Sequence, residues 1–179
     1  QTESLADHLV WQLDMLELSP LEYKTGAYLI GNIDDDGFLV TSIRELLESQ
    51  YDLYELIIAQ HKSGELPELP EVDPDLLDLK FKSGKSTQKK KKKKEELSSL
   101  DEEEIIPEEE PKKLEVPSAV GAFVEYVLGK IQQFNPNGVG ARNLQECLLI
   151  QLDILGENDS LSTRIVKNDM PLLESKDLK

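Results

Sequence analysis

Apolar residues recur at both ends of this chain with spacings of three and four, the period of a helix that buries one face. Leu5, Leu9, Leu13 and Leu16 lie one turn apart behind Ser4, which predicts a first helix capped by that serine and running to about Met15. Ser19-Pro20-Leu21-Glu22 is a second start signal: a capping serine, proline at the first helical position and a glutamate three after the cap. The helix it opens is read with Tyr23, Ala27, Ile30 and Ile33 inward and its end at Asp36-Gly37. Ser42-Ile43-Arg44-Glu45 repeats the capping box. Ile43, Leu46, Leu47, Tyr54, Ile57 and Ile58 carry that helix to about Lys62, either unbroken or interrupted near Tyr51.

The pattern fails between residues 60 and 116. Six consecutive lysines, Lys89 to Lys94, precede the acidic runs Asp101 to Glu104 and Glu108 to Glu110, with prolines interspersed. Such a stretch buries too little apolar surface to offset its ordering entropy, so 60–116 is read as a disordered charged insertion. Periodicity resumes near Pro117, where Val120, Val124, Val127, Leu128 and Ile131 form one stripe up to Phe134. Asn135-Pro136 ends that helix, because proline disfavours the α region for the residue before it. Gly138 and Gly140 then allow backbone angles closed to other residues. A further helix follows, with Leu144, Leu148, Leu149, Leu152 and Leu155 at helical spacing up to Gly156. Ser160 caps a last segment bearing Leu161, Ile165 and Val166, which Pro171 breaks.

No strand alternation competes with these stripes. The expected fold is all-α: an antiparallel bundle of about five to six helices, in which 1–59 and 117–179 are two halves of one core and 60–116 leaves from one end. Asp36 and Gly37, and Gly138 and Gly140, are expected to be structural corners between packed helices.

Charge narrows the functional classes. The net charge is -16. Without 60–116 the balance is still 20 acidic against 8 basic residues. Nucleic-acid affinity comes mainly from Lys and Arg neutralising phosphates, so a basic protein surface suits this chain better than DNA. One cysteine excludes an internal disulfide and fits a reducing cytoplasm. No apolar run reaches the ~20 residues of a membrane span, and no signal precursor is visible. A start at Gln1 rather than Met suggests a fragment of a longer protein.

Candidate chemistry mostly dissolves on inspection. Asn32-Ile33-Asp34-Asp35-Asp36-Gly37 has oxygens at calcium-loop positions, but position 12 is Ile43, so the bidentate glutamate is missing. Gly138-x-Gly140 follows a helix, not a strand, and lacks a third glycine, which argues against a phosphate loop. Cys147 has His8 and His61 far away in sequence and reads as a small, partly or wholly buried helix residue. Trp11 reads as core or groove lining. No catalytic, cofactor or metal residues are assigned, and no enzyme is expected. Arg142 stands out: arginine in a helix's first turn is opposed by the macrodipole. One reading has it bonding the corner's free carbonyls or a local acid such as Glu146, the other has it meeting a partner as an exposed contact, and the two are compatible.

The string from Phe134 to Leu149, Phe-Asn-Pro-Asn-Gly-Val-Gly-Ala-Arg-Asn-Leu-Gln-Glu-Cys-Leu-Leu, resembles the core-binding domain of the bacterial enhancer-dependent sigma factors, the sigma-54 family. Residues 4–13 resemble that family's first core-binding helix, and residues 33–39 its next corner, in the same order. A 57-residue insertion is much longer than the connection usual in the family. The resemblance implies a cytoplasmic bacterial transcription-initiation factor whose helical region docks on core RNA polymerase. It implies Phe134, Asn135, Pro136, Val139 and Arg142 as partner-binding candidates. It places the activator-responsive region before Gln1 and the promoter-reading region after Lys179, so promoter DNA and an AAA+ activator ATPase would be reached only through regions outside this chain. The competing reading is a regulatory helical interaction module unrelated to transcription.

Overall fold

The computed structural model describes residues 4–81 and 114–175. Seven α-helices account for most of them: α1 (Leu5–Asp14), α2 (Pro20–Ile30), α3 (Ile43–Ser49), α4 (Tyr51–Ser63), α5 (Ser118–Ile131), α6 (Leu144–Ile154) and α7 (Leu161–Ser175). Among the described residues there are no strands beyond two isolated bridges. The two predicted capping boxes, Ser19 with Glu22 and Ser42 with Glu45, are present, and the predicted cap Ser4 also bonds reciprocally with Asp7. The interruption near Tyr51 is real, for Gln50 leaves helical angles between α3 and α4.

The bundle is built around α5. Val120, Phe123, Val124, Val127, Leu128 and Ile131 are all buried, because α2 and α4 pack on it from different sides. A short 3₁₀ turn, Pro74–Asp78, covers a further flank. Gly121 makes room for it: a Cβ there would stand 2.9 Å from the Leu77 methyls. Gly26 likewise lets α2 approach Leu13 of α1.

Three expectations change. α2 ends at Ile30, with Gly31 as its cap, rather than at Asp36-Gly37. The Asp34 carboxylate accepts from the backbone N–H groups of Asp36 and Phe38, offering the chain an alternative to the helical ladder. The buried face of α2 is Leu21, Thr25, Gly26, Leu29 and Ile30, while Tyr23 and Ala27 point to solvent. Pairing with both α1 and α5 selects that face. Finally, α6 buries none of its residues fully despite its leucine stripe. It packs on α7, and Leu155 at the turn between them is 71% exposed.

At the front edge of the stretch expected to be an insertion, the chain packs on the core. Helix α4 continues through Gln60 to Ser63, Leu66, Leu69 and Val72 pack against the core, and Leu77 is fully buried. Phe81 stacks on Phe38 with ring centroids 4.1 Å apart. Leu114 and Val116 also pack on the core. The remaining expected insertion, 82–113, lies outside the described residues. Both of its stems meet α3. Arg44 pairs with Asp78 at 2.8 Å and donates to the carbonyl of Leu114, and Glu48 accepts from the Leu114 amide at 2.9 Å.

Candidate functional site

The two corners read separately from the sequence form one structure. Gly140 donates its backbone N–H to the Gly37 carbonyl at 2.8 Å, and Leu39 donates to Ala141 at 3.0 Å. Gly37, Gly138 and Gly140 all have positive φ, at 88°, 93° and 74°. Gly138 has a second constraint, since a Cβ there would fall 2.6 Å from the Cys147 sulfur. α1 is tied to the same corner by Gln12, whose side-chain amide donates to the Asn135 carbonyl and accepts from the Asn135 amide, each at 2.8 Å. The Asn135–Pro136 peptide bond is cis.

Arg142 anchors the corner from inside. It is only 6% exposed and pairs with Glu125 on α5 at 2.5 Å and with Glu146 on α6 at 2.6 Å. The Arg142 backbone N–H also donates to Glu146 at 2.6 Å, and Gln132 donates to the same carboxylate at 3.1 Å. Glu146 thus sits at the positive end of α6 and cancels the arginine charge that end disfavours. Burial pushes the Glu146 carboxyl up, but the bonds and charge of Arg142 outweigh it and leave Glu146 below its ordinary range. Burial dominates at Glu125, where a single arginine contact does not offset it, and its pKa is raised. The two glutamates respond differently to one arginine because Glu146 has several donors around it.

These positions settle what each candidate residue can touch. Phe134, Val139 and Arg142 are buried, so an exposed partner contact at Arg142 is replaced by an internal ion cluster. Asn135 and Pro136 are exposed. Trp11, expected in the core or a groove, is 56% exposed and stacks loosely on His8. Cys147 is half-buried against Gly138. Asp34 is engaged in its own turn, and Asp35 and Asp36 face solvent. Two cluster members were not singled out from sequence. Glu125 carried a usable signal, being the one acid in a mostly apolar α5. Gln132, one polar residue among several after the stripe, carried none.

The described residues form an all-helical domain organised by interlocked corners and a buried ion cluster, with no group of potential metal ligands among them. The sequence comparisons specify its family. The family described as sigma-54 factor, core binding domain, matches residues 1–69 and 87–179, and the chain belongs to that family. It is similar to RNA polymerase sigma-54 factor of Xanthomonas euvesicatoria, 29% identical over 156 residues, covering 87% of this chain and 19% of that protein. It is 28% identical over 180 residues to the sigma-54 factor of Pseudomonas aeruginosa strain UCBPP-PA14, covering 98% of this chain and 23% of the relative. The sigma-54 factor of Acidithiobacillus ferridurans is 25% identical over 181 residues, 24% of its length. The chain thus spans about a quarter or less of each of these relatives.

Proposed function

We propose that this chain docks a sigma-54-type initiation factor onto bacterial core RNA polymerase, in the cytoplasm, and does no chemistry of its own. The observation that carries the reading is the family match across both halves of the bundle. The geometry is consistent with it: the residues most like the family's string build the corner that ties α1, α5 and α6 together. Promoter recognition and the response to an AAA+ activator belong, on this reading, to other parts of such a factor. The excess of acids fits a protein partner better than DNA. Among the described residues, no helix is long and apolar enough to cross a membrane.

The test is direct binding. Residues 1–179 should associate with purified bacterial core polymerase in a sedimentation or interferometry assay. The same protein should give no sequence-specific shift of sigma-54-type promoter DNA. Absence of association with core enzyme overturns the reading.

A further inference from the structure

The C-terminal end of α1 carries an apolar face that nothing among the described residues covers. Trp11 is 56% exposed, Met15 one turn on is 67% exposed, and Leu16 is 41% exposed. Leu16 lines an open groove with Leu18 and Phe134 that runs beside the Asn135–Pro136 corner. A tryptophan at the surface is costly to leave in water and is the side chain most enriched among residues that dominate binding energy. Gln12 lies between Trp11 and Leu16 in sequence and is bonded at both ends of its amide to Asn135, which holds this face rigid against the corner. A preorganised face loses little entropy on binding.

Charge selects the occupant. From residue 4 to residue 23 the chain has Asp7, Asp14, Glu17 and Glu22 and no lysine or arginine. Among the described residues lining the groove, Lys130 is the one cation, and it is paired with Glu22 at 2.7 Å. The face is therefore apolar at its centre and negative at its rim. A second copy of this chain would bring the same negative charge, and so would nucleic acid or an anionic membrane.

We infer that the Trp11–Met15–Leu16 face is a docking surface for a protein partner that presents an apolar pocket rimmed by lysine or arginine. Resting on the function proposed above, it is the part of this domain that seats on core polymerase. The polymerase pocket receives the Trp11 indole, and basic residues around it meet Asp14 and Glu17.

The experiment measures binding of residues 1–179 to purified bacterial core polymerase by biolayer interferometry, for the parent and for Trp11→Ala, Met15→Ala and Leu155→Ala. Leu155 is equally apolar and 71% exposed on a different part of the fold. Trp11→Ala should weaken binding at least tenfold and Met15→Ala less, with melting temperatures unchanged, while Leu155→Ala binds like the parent. Asp14→Asn with Glu17→Gln should slow association and flatten its salt dependence. Parent-like binding by Trp11→Ala and Met15→Ala overturns this inference and leaves the proposed function standing. Equal losses in all three alanine variants also overturn it, as would concentration-dependent self-association abolished by Trp11→Ala. A parent that does not bind core polymerase overturns the proposed function and this inference with it.

Discussion

Gly140 and Gly37 share a backbone hydrogen bond of 2.8 Å, although they lie in opposite halves of the chain. Each has a positive φ that bulkier residues adopt only with strain. The bond closes the 33–39 turn onto the 134–142 corner, and Phe38 and Ala141 add an isolated parallel bridge beside it. The sequence-distant halves of the domain are thus joined at two positions whose backbone conformation strains any residue with a side chain. That arrangement explains why both glycine turns are needed in one fold.

Substitution at this junction should be costly in proportion to geometry. Gly138→Val meets both a positive φ and the Cys147 sulfur and backbone carbonyl, and Gly140→Val meets a positive φ and a Leu128 methyl at 3.3 Å. Backbone strain alone is on the order of 1–3 kcal/mol, so both variants should melt several degrees below the parent, Gly138→Val lower still. Gly129, in α5 with nothing within 4 Å of a Cβ, is the control. Gly129→Ala should leave the melting temperature equal or raise it, by up to about 1 kcal/mol of stability.

Arg142→Ala leaves Glu125 and Glu146 facing each other without their shared cation. Breaking one partner of a buried ion pair costs about 3–5 kcal/mol, and urea unfolding should show a loss of that size. A parent-like midpoint would mean the cluster contributes nothing to the corner.

The same cluster predicts opposite pH slopes for its two acids. Glu146 is depressed in the folded chain, so its stabilisation is present above the unfolded carboxylate pKa and lost as pH falls through the lower folded value. Glu125 is raised, so its contribution is present below the unfolded pKa and lost as pH rises through the higher folded value. Urea melts at a series of pH values from acid to neutral should show Glu146→Gln falling increasingly behind the parent as pH rises. Glu125→Gln should instead gain on the parent over the same range.

Leu77 belongs to the core even though it lies where the sequence pattern gives out. Leu77→Ala should cost about 2–5 kcal/mol, as expected for a fully buried leucine that leaves a cavity against Gly121. Leu148→Ala, at a half-buried position of α6, should cost less. Equal losses would contradict the peripheral position of α6.

Replacing residues 84–111 with a short Gly/Ser linker should keep the melting temperature nearly unchanged. Closure entropy changes by only ~0.6 kcal/mol per doubling of loop length, and both stems are already fixed on α3 through Arg44 and Glu48. Extending the replacement to residues 65–115 removes Leu77, Asp78 and Phe81 and should lower stability markedly. Circular dichroism melts of the two variants compare the boundaries.

The chain's local chemistry alone determined where α1, α2 and α3 begin. Ser4, Ser19 and Ser42 each place an oxygen beside orphan amides and an acid three residues on, an interaction confined to one turn and therefore readable from adjacent letters. The stripe of α5 and the two glycine corners were legible for the same reason, as was the all-α class. What each helix faces was decided only by tertiary packing. Tyr23 and Ala27 fit an inward stripe as well as Leu21 and Thr25 do until α1 and α5 choose between them. The leucines of α6 look like core until that helix is found to pack chiefly on α7 at the edge of the bundle. Leu77 is buried by a glycine far along the chain, and Arg142 is withdrawn from the surface by Glu125 on another helix. Periodicity records that a face is apolar, but burial is a property of the pair of surfaces that meet, and the second surface is not written beside the first.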